Sequence, residues 1–263
     1  DTLAIEQLEP AELNLRLYAP VVSDARELRF TVMRVGQAMP LTQVLPILQR
    51  LGVDVIDEHP YEINRANRPP ARILTFGVVL PNGGIREFDS LFSRFCEAFR
   101  ACWDGRCGID TFNALVVTAG VDWRQAMIIR AYARYLRQIG STFGQGYLEQ
   151  VVLEHSEISR LLIELFETRF NPDGPGSRQQ AEDRLIERIE QALEAVPSLD
   201  ADRILRQYLT LIRATVRTNF YAISLTGDER CSVAFKLEPA SIPELPLPKP
   251  KFRVVVIDTA LPY

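Results

Sequence analysis

The hydrophobic residues of this chain change period along its length, and that change sets the order of strands and helices. Leu13, Leu15 and Leu17 alternate with Asn14, Arg16 and Tyr18, and Leu28, Phe30 and Val32 alternate with Arg29, Thr31 and Met33. This is the two-residue period of strands with one face buried. Val44, Ile47, Leu48 and Leu51 then fall at the spacing of one helix face. Thr42 stands where an N-cap would, Pro46 is expected in the first turn, and Gly52 supplies the stop. Strands are predicted over 53–63 and 72–80, joined by a polar, proline-containing connection at 64–70. Asn82-Gly83-Gly84 marks a turn, after which Phe88, Phe92, Phe95, Phe99 and Trp103 recur at helical spacing, an aromatic stripe of core packing. The order is β-α-β-β-α with an extra strand in front. That is most of a ferredoxin-like α/β sandwich, lacking the strand that should close it after the second helix. An open sheet edge is expected, for residues 13–17, residues 233–236 or a partner's strand to fill.

Beyond residue 104 the spacing is helical. Asp122 is placed to cap a helix to about 139, with Ile128, Tyr132, Tyr135 and Ile139 on one stripe. A continuous helix is predicted over 148–170, aligning Leu148, Val151, His155, Ile158, Leu162 and Leu165. Ser177 and Gln180 read as a capping box. Ser198 opens a last helix whose stripe runs through Leu205, Leu209, Ile212, Val216 and Ile223. The tail, with Pro239, Pro243, Pro246, Pro248 and Pro250, reads as extended. It ends in an apolar strand, 252–257, with no later partner. The predicted class is therefore α+β: a sandwich over 1–103, helical motifs over 104–230 and an extended segment over 231–263.

Composition narrows the chemistry. A net charge of -4 gives no global excess for nucleic acid, and no apolar run approaches a membrane span. Nothing at Asp1 resembles a signal peptide, and the start without Met reads as a piece of a longer polypeptide. Cys96, Cys102, Cys107 and Cys231 lack the dense spacing of a secreted scaffold, so reduced thiols in the cytoplasm are expected. Cys102 and Cys107 hint at half a zinc site, but His59 and His155 offer no second half, and no metal is expected. Gly144-Gln145-Gly146 starts like a dinucleotide fingerprint, yet Glu149 stands where the third glycine belongs and a helix precedes it. No phosphate loop, zinc-protease or nucleophile-elbow motif is present. His155, on an apolar stripe, reads as a packed histidine or as a ligand. Arg203, Arg206, Arg213 and Arg217 share a helix face, and Arg130, Arg134 and Arg137 make a second stripe. Either stripe is a solvated, ion-paired face or a docking face for an acidic partner.

Four stretches carry a resemblance: LPILQRLGVDVIDEHPYEI (45–63), AYARYLRQIGSTFGQGYLEQVVLEHSEISRLLIELFETRFNP (131–172), DRILRQYLTLIRATVRTNFY (202–221) and AFKLEPASIPELPLPKPKFRVVV (234–256). They resemble the large bacterial NAD-specific glutamate dehydrogenases, in which ACT-like domains and helical motifs precede a catalytic core. The resemblance implies the last ACT-like domain plus helical motifs, ending where the core begins. It implies glutamate oxidation with NAD in the parent enzyme, with no cofactor or catalytic residue in this segment. It also implies a regulatory or assembly role, contact with the catalytic domain of the same chain, and homo-oligomers. An amino-acid-sensing module and a ligand-free helical interaction module stand as alternatives. ACT domains commonly hold an amino acid at the connection from the first core strand into the first helix. Here that connection is Gly36, Gln37, Ala38, Met39, Leu41 and Thr42.

Overall fold

The computed structural model describes residues 12–20, 27–80, 88–174, 176–223, 232–245 and 247–258. The chain divides into two compact units, 1–123 and 124–263, whereas the change of period had placed divisions after 103 and 230. The glycine turn at 82–84 and Cys231 lie outside the described residues.

In the first unit β1 (Leu13–Tyr18), β2 (Glu27–Val35), β3 (Asp54–Arg65) and β4 (Arg68–Val79) form one antiparallel sheet in the order β1-β2-β4-β3. The missing closing strand is thus supplied from the front of the chain. β1 pairs with β2, Leu15 opposite Val32 and Leu17 opposite Phe30, where a strand after the second helix would otherwise lie. Two helices, α1 (Leu41–Arg50) and α2 (Phe88–Trp103), pack on one face. Phe30 meets Phe95 edge-on at 5.3 Å and Phe99 at 4.9 Å, so the aromatic stripe is core.

Local chemistry departs from the sequence reading at α1. Its N-cap is Pro40, not Thr42: the fixed φ of -63° with ψ 134° is extended, and the Pro40 carbonyl accepts the N–H groups of Gln43 and Val44. Pro46 lies inside the helix rather than in its first turn, on the exposed side. Gly52 does end it. With φ +81°, its N–H donates to Gln49 and that of Val53 to Leu48, the paired bonds of a Schellman motif. The polar connection shrinks to Ala66-Asn67, because Asn67 adopts φ 58° and closes a two-residue hairpin. Pro69 and Pro70 fit in β4 because its pairing with β2 stops at Ala71 opposite Val35. A 3-10 turn (Thr111–Ala114) and the short α3 (Leu115–Thr118) stay with this unit: Arg50 donates to Thr111 Oγ1 at 2.7 Å.

The second unit carries α4 (Trp123–Gln138), α5 (Gln145–Glu154), α6 (Ser156–Phe170), α7 (Arg178–Glu194), α8 (Leu199–Ala214) and an antiparallel sheet β5-β6-β7 (Thr215–Thr218, Ser232–Leu237, Arg253–Asp258). The predicted continuous helix over 148–170 breaks at His155, which leaves helical geometry at φ -107°, ψ 47°, so His155 is a half-buried break rather than a core stripe residue. Ser177 precedes α7 without a side-chain cap bond, whereas Ser198 Oγ accepts the Ala201 N–H at 3.3 Å and caps α8. The last helix stops at Ala214, before Val216 and Ile223, and the chain turns into β5. The apolar tail strand finds its partner earlier in the chain. As β7 it pairs with β6, Val255 opposite Phe235, so the tail is built into a sheet.

A hydroxyl pair sits at the turn from α8 into β5. Thr215 Oγ1 donates to the Leu211 carbonyl at 2.8 Å, and the Tyr132 hydroxyl donates to Thr215 Oγ1 at 2.8 Å. The Tyr132 ring stacks on Phe235 at 4.3 Å, and Phe166 packs edge-on against Phe220, Phe235 and Tyr132. Burial pushes the Tyr132 phenol well above its ordinary value, so it stays neutral and hydrogen-bonded.

Two measurements check these assignments by urea unfolding. Gly52→Ala should cost more than the roughly 1–2 kcal/mol of left-handed strain, because its Cβ would meet that of Ala114 at 2.8 Å; Ala114→Gly should return part of the loss. Thr215→Val strands the buried Tyr132 hydroxyl and should cost about 1–3 kcal/mol, more than the roughly 1 kcal/mol for Tyr132→Phe, which leaves Thr215 satisfied by Leu211.

Candidate functional site

The connection from β2 into α1 is tied at its base. Gly36, at φ +86°, donates to the Pro70 carbonyl at 2.9 Å, and its own carbonyl accepts from Arg72 Nη1 at 2.7 Å. Arg72 also reaches Glu62 at 3.1 Å, and Arg34 holds the Gln37 amide oxygen at 2.6 Å. Met39 turns inward, while Gln37, Ala38, Leu41 and Thr42 are exposed. Leu41 and Thr42 come before the first N–H groups that donate within the helix, those of Gln43 and Val44, and Pro40 offers no side chain to their own N–H groups. The structure therefore brings the uncapped helix-start N–H groups of two exposed residues beside a hydrogen-bonded glycine turn, an arrangement that can receive a small carboxylate.

Other features of this unit were not read from the sequence. A recess of about 680 Å³ opens along β1 and α2, lined by Leu15, Leu17, Thr31, Phe92, Ser93 and Cys96 among others. None of the six connection residues lines it. Burial pushes the Cys96 thiol up to about 11, which removes it as a nucleophile. On the sheet face away from the helices, Arg29 bridges Asp57 and Glu27, the latter at 3.0 Å, and Asp57 accepts the Gly77 N–H at 3.0 Å. A register shift between Val55 and Asp57 lets this carboxylate lie over Gly77, where a Cβ would be 2.8 Å from it. Burial opposes the charge on Asp57, but the hydrogen bond and field of Arg29 outweigh it, and the carboxyl sits below its ordinary range. No sequence signal joins residues 28 positions apart, apart from the out-of-pattern glycine in an apolar strand.

The arginine stripes are redrawn. Arg203, Arg206 and Arg213 are exposed on α8, but Arg217 falls on β5 because the helix ends first. Arg206 grips both oxygens of Asp202 at 2.9 Å, the ion-paired arrangement. Arg130, expected on a solvated stripe, is fully buried; Arg134 is half-buried and Arg137 exposed. Their helix has its apolar neighbours on nearly every side, so the stripe turns inward at Arg130. Gly144 is the N-cap of a helix that follows another helix, so it does not fit a dinucleotide cradle, which needs a strand before it. Cys102 and Cys107 flank Asn113, whose amide donates to Cys102 Sγ at 3.4 Å and accepts from Cys107 at 3.5 Å. Among the described residues no group of three or more His, Cys, Asp or Glu is placed to hold a metal, and no helix is long and apolar enough to cross a membrane.

The chain is an α+β protein, a split β-α-β sandwich followed by helices and a second antiparallel sheet. Three family models match it in succession. "Glutamate dehydrogenase, ACT3 domain" matches residues 12–91, "Glutamate dehydrogenase, helical motif 3" matches 107–172, and "Bacterial NAD-glutamate dehydrogenase, catalytic domain" matches 188–261. NAD-specific glutamate dehydrogenases of Halomonas elongata, Mycobacterium tuberculosis and Pseudomonas aeruginosa are 36%, 39% and 37% identical over 94%, 84% and 94% of this chain. The chain belongs to the bacterial NAD-glutamate dehydrogenase family. It spans 15%, 14% and 16% of the length of those relatives. One expectation is corrected: the segment does not stop short of the catalytic domain, because the match to that domain begins within α7 and takes in β5, β6 and β7.

The Asp57 arrangement predicts that Gly77→Ala costs about 1–3 kcal/mol by crowding the carboxylate, with most of it recovered in an Asp57→Ala background. A carboxyl depressed by folding stabilises above its unfolded value and loses that contribution as pH falls through the folded one. Asp57→Asn should therefore flatten the acid side of the stability profile, measured by thermal unfolding between pH 7 and pH 2.

Proposed function

We propose that this chain is the regulatory and assembly segment, together with the opening of the catalytic domain, of a longer NAD-dependent glutamate dehydrogenase. The parent enzyme would oxidise L-glutamate to 2-oxoglutarate and ammonia in the cytoplasm, where free buried thiols such as Cys102 and Cys107 stay reduced. The observation that carries this reading is the succession of three matches, ACT3, helical motif 3 and catalytic domain, in chain order. NAD would be held elsewhere in the parent. The partner of this segment is the rest of the same polypeptide, within a homo-oligomer.

A narrower reading makes the ACT-like unit an amino-acid sensor. The uncapped N–H groups of Leu41 and Thr42, next to the Gly36 turn, support it by offering donors to an α-carboxylate. Arg203 and Arg213, exposed on α8, are the residues for an acidic partner, Arg206 being engaged by Asp202.

The 263-residue chain should form no NADH from glutamate and NAD, followed at 340 nm; turnover would overturn its assignment as a segment without activity of its own. Calorimetry with L-glutamate and other free amino acids tests the sensor. Leu41→Pro suits the helix start, follows an extended residue and removes one N–H. It should weaken binding by roughly tenfold or more without lowering the melting temperature. Unchanged affinity would place the ligand elsewhere.

A further inference from the structure

Strand β7 is apolar on both faces, yet only one is covered. Val255 and Ile257 are buried, whereas Val254 is 66% exposed, Val256 64% and the adjoining Phe252 49%. Strands that are apolar on both faces belong in the interior of sheets covered on both sides, not at rims. Nonetheless β7 is the rim of β5-β6-β7, pairing with β6 alone among the described residues. Natural rims are blunted by charge, proline or a bulge, and Val254, Val255 and Val256 carry none of these.

The outward face is graded. Arg217 lies opposite Lys236, and Lys236 opposite Val254; the next row sets Ala234 opposite Val256. The face is cationic towards β5 and bare hydrocarbon towards β7. Lys236 and Lys251 stand 4.3 Å and 5.9 Å from the Phe252 ring centroid, flanking the apolar strip with positive charge.

We infer that the free edge and outer face of β7 receive a strand from the polypeptide that follows residue 263 in the parent enzyme. This rests on the reading of the chain as a segment of a longer dehydrogenase. Two observations select that occupant. The sheet lies within the 188–261 match to the catalytic domain, and the relatives are several times longer than the matched region. The incoming strand extends the sheet to four or more strands, sets apolar side chains over Val254 and Val256, and brings an acidic side chain towards Lys236 and Arg217. The segment is thus the first edge of the catalytic domain's own sheet.

Hydrogen exchange by mass spectrometry on peptides covering 252–258 tests this, comparing the 263-residue chain with the full-length parent. In the parent, the edge amides of β7 should exchange at least a hundredfold more slowly, independently of concentration. Val254→Lys with Val256→Lys should leave the melting temperature of the 263-residue chain unchanged and abolish the added protection in the parent. Equal exchange in the two chains overturns the inference. Protection that appears in the 263-residue chain as its concentration rises also overturns it, in favour of a second copy at the edge. Glutamate-dependent NADH formation by the parent is measured alongside. Its absence would overturn the dehydrogenase reading, while the exchange result alone decides the docking.

Discussion

The first unit depends on β2 being buried on both faces. Leu28, Phe30 and Val32 are fully enclosed on the helix side, and Thr31, Met33 and Val35 are buried on the other. A strand buried along most of both faces also needs neighbours on both edges, since unpaired N–H and C=O groups inside a protein are costly. β4 supplies one edge. The other had to be filled from whatever the chain had available, and β1 filled it. The permuted strand order follows from that requirement, with α1 and α2 free to cover one face only.

In the second unit the same economy works through hydroxyls. A helix that ends inside a core leaves carbonyls without donors. Thr215 answers one of them at Leu211 and also hands its own acceptor to Tyr132, whose ring lies flat on Phe235 of β6. One residue thus ends a helix, begins a strand and anchors α4 to the sheet. Arg169 adds to this junction, with Glu182 at 2.8 Å and the carbonyls of Arg213 and Thr215 at 3.3 Å.

Much of the fold was legible because period is a local property. β1, β2, α1, α2 and α4 stand close to where the spacing of their hydrophobic residues put them. What failed was punctuation and pairing. Val216 continues the helical stripe of α8 by spacing, but β6 waits in space to pair with Thr215, and tertiary hydrogen bonding overrode the pattern. His155 fits its stripe equally well, yet the chain breaks there. Pairing across the chain was visible only as alternatives, since nothing local says that residues 13–18 close the sheet. The candidate site divides in the same way. The Gly36 turn was legible from its glycine, but the helix begins two residues earlier than a Thr42 cap would set it, and Arg29, Gly77 and Asp57 meet only through a register shift that no spacing reveals.

Placing the closing strand first has a consequence for how the protein is made. In a sandwich whose last strand follows the second helix, the sheet stays open until that strand leaves the ribosome. Here every strand of the sheet has emerged before α2, and α2 is the lid on a finished sheet. Domains fold as units during synthesis, N-terminal first. The ACT-like unit can therefore lock while the ribosome is still making the helices that follow it, and its surface is available to them as a template.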